Sequence, residues 1–290
     1  MQPTLAGEEF DKLVEVADGF WILATRHRPG FSRMMPEVNN RCIVFRLDEG
    51  GRKVLLVANP SVPARLIPEV KALEQRTGLE VRYLLSPGGG HHLQIPTWRD
   101  AFSAATVLVP PVRIPRIPSA SALMKGPRVQ IMSVDDPLPQ FRAQLDVVIF
   151  AGLIGFSDRK TTFEGGKDGF FSMLGTMKEM MSLKTPVDEV WLHHVASGTV
   201  IAGENLGWIL SAETVKAFPR MMRGMFKPET VMVNDKARKV GDRVQTAAAW
   251  QKVLTWPCRT LMGYHEPPGQ AFVGDGKAAL QAAVSAARQM

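Results

Sequence analysis

Five of the six histidines in this 290-residue chain fall in three places, at His91 and His92, at His193 and His194, and at His265. Each place adjoins a predicted turn or the end of a predicted strand. Histidine is the commonest transition-metal ligand and the side chain best suited to move protons near neutral pH. Such groups, distant in sequence and able to meet in a fold, are typical of a metal or catalytic site. The sequence therefore predicts a metal or catalytic site where these histidines meet in the fold.

Composition and charge favour a small-molecule site over other functions. Hydrophobic residues make up 45% of the chain and charged residues 22%, which is ordinary for a soluble globular protein. No run approaches the ~20 apolar residues of a membrane span. The net charge of +7 is spread along the chain, without the basic helix or aromatic-interleaved basic strand of a nucleic-acid protein. We expect a cytoplasmic protein with a small-molecule substrate, and neither a nucleic-acid partner nor a membrane. Cys42 and Cys258 are expected to be buried, reduced thiols.

Other motifs with chemical meaning are incomplete. The glycines at 88–90 follow a predicted strand but lack the Gly-Lys-Ser/Thr ending of a phosphate-binding loop. The Gly-x-Ser-x-Gly elbow of the α/β-hydrolases is absent from the sequence. Ser86 and Ser197 are interpreted either as turn residues or as hydrogen-bond donors near the site. His27, in a predicted loop with two arginines, is either solvated or in contact with an anion at the pocket mouth.

The hydrophobic pattern alternates between strand and helix signals. The predicted strands cover residues 20–25, 42–47, 53–58, 79–85, 106–109, 129–134, 147–151, 187–192 and 199–202. The predicted helices cover residues 63–77, 96–102 and 274–290. A turn signal at 48–51 indicates a hairpin, and Gly78 is suited to end the first helix. Such alternation is typical of α/β proteins with helices packed on sheet faces.

Two segments rich in methionine and phenylalanine interrupt this pattern, at about 156–183 and 218–226. Methionine and phenylalanine at helical spacing indicate either a contribution to the core, a hydrophobic lid over a substrate pocket, or a homodimer contact. As a lid, these segments would favour a hydrophobic or aromatic substrate.

Several segments resemble the metallo-β-lactamase superfamily. Residues 39–45 (Asn-Asn-Arg-Cys-Ile-Val-Phe) and 54–60 (Val-Leu-Leu-Val-Ala-Asn-Pro) are similar to its opening strands. Residues 81–85, with the loop, short helix and strand that follow to residue 109, resemble the region of its metal loop. Residues 261–268 (Leu-Met-Gly-Tyr-His-Glu-Pro-Pro) resemble the segment that delivers its last histidine ligand. The resemblance implies an α/β fold, an αββα sandwich of metallo-β-lactamase type, as a single domain over residues 1–290.

The metal loop departs from the family pattern, which is His-x-His-x-Asp-His. Aligning its last histidine with His92 puts His91 at the aspartate position. Gly89 and Pro87 then stand where the family has the two histidines of its first metal. The resemblance therefore implies that the first metal is lost and that only part of the second metal's ligand set remains.

The remaining ligands are assigned by the same resemblance. Glu204 matches the family's bridging aspartate, and His193 or His194 matches the histidine before that strand. The implied metal ligands are His92, Glu204 and His265, with His91, His193 and His194 as a further ligand or a general acid. Because adjacent residues of a strand point to opposite faces, we expect at most one histidine of each pair to face the site.

Imidazoles with one carboxylate hold a divalent metal and leave a position open. Zinc is expected, with iron or manganese as alternatives, and a water in the open position would have its pKa lowered to ~7 at zinc. The resemblance thus implies a hydrolase for a small, hydrophobic or aromatic lactone, amide or ester. Two alternatives remain open, an iron-dependent oxidoreductase and a non-catalytic, metal-free binding protein, and the missing first-metal histidines favour the second.

Overall fold

The computed structural model describes residues 7–27, 38–88, 94–111, 128–155, 185–203, 216, 220–223, 243–266, 268–269 and 271–288. The strands are β1 Leu13–Ala17, β2 Phe20–His27, β3 Val38–Glu49, β4 Arg52–Ala58, β5 Val81–Leu85, β6 Thr106–Val109, β7 Val129–Ile131, β8 Leu145–Gly155, β9 Thr185–His194, β10 Thr199–Ile201, β11 Thr260–Met262 and β12 Phe272–Val273. The helices are α1 Pro63–Thr77, α2 Ile95–Ala101, α3 Arg220–Arg223, α4 Arg243–Thr255 and α5 Gly276–Arg288, with a 3-10 turn at Pro139–Phe141.

The strands form two sheets. The first is seven-stranded in chain order from β1 to β7, and the second has the order β12-β11-β10-β9-β8. In the first sheet, β1 to β4 pair antiparallel and β4 to β7 pair parallel. The second sheet contains one parallel pair, β10 with β11. Helix α1 connects β4 to β5, because parallel neighbours require a crossover that returns the chain to the starting edge.

Apolar side chains bury both faces of each sheet. In β4, Leu56 points into the layer between the sheets, whereas Val57 packs with Leu66 of α1 on the outer face. In β9, Leu192 lies between the sheets and Trp191 packs outward among residues of α4 and α5. This alternation places helices outside two sheets that face each other. The predicted αββα sandwich is therefore confirmed.

Several elements agree with the sequence prediction, and others were not predicted. Helix α1 spans Pro63–Thr77 and ends at Gly78, as predicted. The hairpin between β3 and β4 turns at Gly50 and Gly51. The unpredicted elements include β11 and β12, of three and two residues, which are too short to show a period.

The remaining sequence predictions on the fold have separate outcomes. Cys42 and Cys258 are buried and free, and burial raises the pKa of Cys258 to about 12, so that its thiol stays protonated. Of the two methionine-rich segments, 156–183 lies outside the described residues, and 218–226 is described only at Arg220–Arg223. None of the described helices is long and apolar enough to span a membrane.

One histidine belongs to the core between the sheets. The ring of His194 lies 5.2 Å from the ring of Phe20 and 5.6 Å from that of Phe45, measured between centroids. Burial, followed by the neighbouring His193, lowers the pKa of His194 to about 4. A neutral imidazole packed between aromatic rings is thus part of the folded state, and protonating it disfavours that state.

We expect this burial to make stability depend on pH. The pKa of His194 is about 4 in the folded protein against 6.5 for an unperturbed histidine, so protons bind preferentially to the unfolded chain between these values. The free energy of unfolding should fall as the pH is lowered through this window. Denaturant titrations at a series of pH values should show a smaller fall for His194→Phe. Identical pH dependence in the two proteins would contradict the prediction.

Candidate functional site

Loops from both sheets meet at one end of the sandwich, which we call the loop end and define by Gly88, Gly203 and His265. Gly88 follows β5 and forms a bridge with Glu189 in the middle of β9. Gly203 follows β10 and lies against the Glu189 side chain. His265 follows β11 and contacts Asn39 at the start of β3. The same end thus receives the segments that carried the sequence-predicted metal ligands.

His265 is held in a defined tautomer. Its Nδ1 lies 2.9 Å from the carbonyl oxygen of Asn39. Because a carbonyl oxygen only accepts hydrogen bonds, Nδ1 must carry the proton. Nε2 is then the nitrogen with the lone pair, and it is buried. A histidine whose second ring nitrogen donates to a backbone carbonyl is the usual arrangement of a metal ligand.

Arg41 is completely buried beside His265. Its Nε and Nη2 donate to the two carboxylate oxygens of Glu8 at 2.7 and 3.0 Å. Its Nη1 donates to Glu266 Oε2 at 2.6 Å and to the carbonyl oxygen of Gly263 at 3.1 Å. Burial by itself would lower the pKa of Arg41, but Glu8 and Glu266 raise it overall. The guanidinium therefore remains charged and binds its acceptors through charge-assisted hydrogen bonds.

Glu189 forms the second buried polar centre of the loop end. Its Oε1 accepts a hydrogen bond of 3.0 Å from Trp191 Nε1. A Cβ added at Gly203 would lie 2.2 Å from the same Oε1, so the carboxylate occupies the space that a side chain would need. Burial, followed by Glu189, raises the pKa of Tyr264, whose hydroxyl therefore stays protonated. Glu189 thus lies between the segments that follow β10 and β11.

The loop after β5 is fastened to the second sheet. Val190 N donates to the Pro87 carbonyl oxygen at 2.7 Å. Gly88 has a φ of +120°, and a Cβ there would lie 2.6 Å from the carbonyl oxygen of Asp188. Both the backbone conformation and the close approach therefore require glycine. The loop that follows β5 is thereby tied to the middle of β9.

The sequence-predicted site residues fall into three groups. His265 lies at the loop end, with its ring nitrogens placed as described above. His91, His92 and Glu204 lie outside the described residues, although Gly88 and Gly203 lie at the loop end. Within the part of the chain that the structure describes, no group of three or more His, Cys, Asp or Glu residues could hold a metal ion.

The third group, His193 and His194, lies at the carboxyl end of β9. His194 pairs with Thr199 and His193 with Val200, across the turn that joins β9 to β10. Because β10 runs antiparallel to β9 with Ile201 opposite Leu192, the end of β10 that leads to Gly203 points toward the middle of β9. The structure thus places both histidines further along β9 than the part that lies beside Gly203, and their expected match to a ligand stays a prediction.

The two histidines do face opposite sides of the sheet, as expected. His194 packs between the sheets, whereas the His193 ring stacks on Trp256 of the helical layer at 5.3 Å. Burial lowers the pKa of His193. Ser197, in the same turn, donates to Thr199 Oγ1 at 2.8 Å and lies 2.9 Å from His194 Nδ1. These contacts support a structural role for this cluster.

The sequence analysis did not single out the buried acids and the arginine of the loop end. Asp188 and Glu189 are both buried within β9. Adjacent acidic residues next to the apolar run 190–192 were a usable signal, since charged side chains are rarely buried without partners. Ser86 is buried at the end of β5, as a turn-adjacent residue, and His27 ends β2 rather than lying in a loop.

We expect Gly203→Ala to destabilise the protein by about 1–3 kcal/mol, because the new methyl group would overlap the Glu189 carboxylate. Adding Glu189→Ala should relieve that overlap, so the two effects should be less than additive in a double-mutant cycle. Gly88→Ala is the matched comparison, since it meets the Asp188 backbone and truncating a side chain cannot rescue it. Denaturant unfolding of the wild type and the four variants measures these effects. Simple additivity of Gly203→Ala and Glu189→Ala would contradict the packing described here.

No family model matches the sequence, and no curated protein matches it. Several solved structures do match this chain. A metallo-β-lactamase from Hirschia baltica superposes with a TM-score of 0.52 at 8% identity, over 95% of this chain and 97% of that one. A β-lactamase domain protein from Burkholderia ambifaria gives 0.52 at 15% identity, over 97% and 76%. A flavodiiron core from Synechocystis sp. PCC6803 gives 0.51 at 10% identity, over 96% and 60%. Identities this low establish the fold alone, and the chain has the metallo-β-lactamase fold.

Proposed function

We propose that the protein is a metal-dependent hydrolase that attacks a small lactone, amide or ester with an activated water at the loop end. The observation that carries the proposal is the state of His265. The Asn39 carbonyl oxygen holds the proton on Nδ1, which leaves Nε2 as a donor atom for a metal. A backbone-oriented imidazole of this kind fits a ligand better than a histidine that only fills space.

His92 and Glu204 complete the proposed ligand set. The segments that lead to them pass through Gly88 and Gly203, both of which meet Glu189. A divalent ion such as zinc, manganese or iron would supply a Lewis acid and lower the pKa of a water. The chain itself supplies one oriented imidazole in His265 and a buried carboxylate in Glu189, which Trp191 fixes. Glu189 is proposed to orient neighbouring groups rather than to bind the metal, because Gly203 and Trp191 already surround its Oε1.

His91 is proposed as the proton donor to the leaving group, since histidine titrates near neutral pH and this residue adjoins His92. The substrate is proposed to be a small molecule with hydrophobic or aromatic character. The net charge of +7 favours an anionic or electron-rich compound. The methionine-rich segments provide the apolar contacts in this proposal.

A second candidate is a metal-free binding protein with the same fold. One observation favours it. Pro87 stands where the family carries a first-metal histidine, and its carbonyl oxygen is bonded to Val190 N. The start of the metal loop thus serves to join the sheets, which is a structural role. Metal content separates the two candidates.

We expect protein purified without a histidine tag or chelator to contain near-stoichiometric zinc, manganese or iron, measured by elemental mass spectrometry. His92→Ala, Glu204→Ala and His265→Ala should each lose most of the metal, because each removes one of three proposed ligands. His193→Gln is the matched control, since His193 lies at the carboxyl end of β9, and it should retain the metal.

The same proteins test the reaction class. Hydrolysis of aromatic lactones and esters should follow metal content across the variants and return when metal is added to stripped wild type. Trace metal that is unchanged by the three alanine variants and not restored on reconstitution would overturn the hydrolase and favour the metal-free binding protein. Iron with redox-active spectra and no hydrolysis would instead favour an oxidoreductase.

A further inference from the structure

The segment that carries His265 is bonded to β3 along its length. Arg41 N donates to the Tyr264 carbonyl oxygen at 2.8 Å, one residue before His265. His265 Nδ1 meets the Asn39 carbonyl oxygen. Arg41 thus holds the residue next to His265 through its backbone, while its side chain reaches both flanks of the same segment.

The guanidinium closes this segment into a tight loop. Glu266 Oε2 accepts from Arg41 Nη1 at 2.6 Å and from Gly263 N at 2.9 Å. Arg41 Nη1 also donates to the Gly263 carbonyl oxygen. Both peptide groups of Gly263 and the side chain of Glu266 are therefore fixed around one charge, with His265 between them. The backbone on both sides of His265 is thus held in place, which fixes the point from which its side chain reaches Asn39.

Glu8 extends the cluster beyond the loop. While its carboxylate binds Arg41 Nε and Nη2, its Oε2 also accepts from Gly269 N at 2.7 Å. The chain on the far side of His265 is thus attached to the same ion cluster. The side chains of Arg41 and Glu8 have no exposed surface, and that of Glu266 is 3% exposed. Solvent does not screen these interactions, so losing one partner leaves a buried charge incompletely matched.

Strand β3 is itself anchored at this point. Asn59 follows β4 in a left-handed conformation with φ 57°. Its Nδ2 donates to Asn40 Oδ1 at 2.5 Å and to the Arg41 carbonyl oxygen at 2.7 Å. The end of β4 therefore orients the backbone of β3, which in turn orients the His265 segment. These contacts connect the end of β4, through β3, to the imidazole of His265.

We propose that Arg41, Glu266 and Glu8 are positioning residues that hold His265 with its proton on Nδ1 and its Nε2 available to a ligand. The inference depends on the proposed function only in taking that ligand to be a metal. A purely structural cluster would stabilise the fold without controlling the tautomer of His265. The tautomer is therefore the decisive readout, and it is measured on metal-free protein.

The experiment compares full-length, metal-free wild type with Glu266→Gln and Arg41→Lys by long-range ¹H–¹⁵N correlation spectra of the histidine rings in mildly alkaline buffer. His265→Gln assigns the His265 signals. Glu80→Gln is the matched control, because Glu80 makes a comparable carboxylate contact with Arg52 at an exposed site. Thermal unfolding and circular dichroism report the fold of every variant.

We expect the wild type and Glu80→Gln to show His265 in the Nδ1–H form alone. Glu266→Gln and Arg41→Lys should show a mixture of tautomers or broadened His265 signals while they remain folded. Their affinity for added zinc should fall about 10- to 100-fold, as for other residues that orient ligands.

Two results would overturn the positioning role. In one, both variants lose thermal stability but keep the wild-type His265 signals. In the other, neither variant folds, so that the cluster supports the whole sandwich rather than the loop. Absence of zinc binding by the wild type, with the tautomer changes present, would reject the proposed function and leave this inference standing.

Discussion

A charge buried out of solvent has to be matched by fixed acceptors, and the loop end is arranged around this constraint. The guanidinium of Arg41 obtains its acceptors from Glu8, Glu266 and Gly263. These acceptors come from two segments far apart in the chain, one with Glu8 and the other with Gly263 and Glu266. The ion cluster therefore forms only when both segments have packed beside Arg41. A well-matched buried pair adds little net stability compared with apolar packing. Its effect here is to allow a single arrangement of the segment that carries His265.

The second constraint is steric and lies where the two sheets meet. Glu189 occupies the space beside Gly203, and the backbone of Asp188 and Glu189 lies against Gly88. Only residues without a side chain allow this approach, so the segments that follow β5 and β10 are both brought to Glu189, one against its backbone and the other against its carboxylate. The apolar layers of the sandwich hold the sheets together, and the two glycines determine how closely their loops meet at this end.

Much of the fold was predictable from local patterns, and the candidate site was predictable only in part. The period of α1 and the alternation in β4 follow from burial on one or two faces, which residues close in sequence reveal. The strands β11 and β12 are too short for that signal and form by pairing with neighbours that are already placed. His193 and His194 were assigned by resemblance to a family segment. Their position depends on where β9 turns, and the antiparallel pairing with β10 puts them at the carboxyl end of the strand.

By itself, the sequence predicted an α/β architecture, because hydrophobic periodicity is a local property. Its resemblance to the metallo-β-lactamase superfamily implied the αββα sandwich and the segment that delivers His265. The tertiary structure alone decided that Arg41 binds Glu8 and Glu266, that Glu189 faces Gly203, and that Asn39 fixes the tautomer of His265. These contacts join residues far apart in the chain. Their partners are selected by strand order and register, which long-range packing sets and which no local pattern encodes.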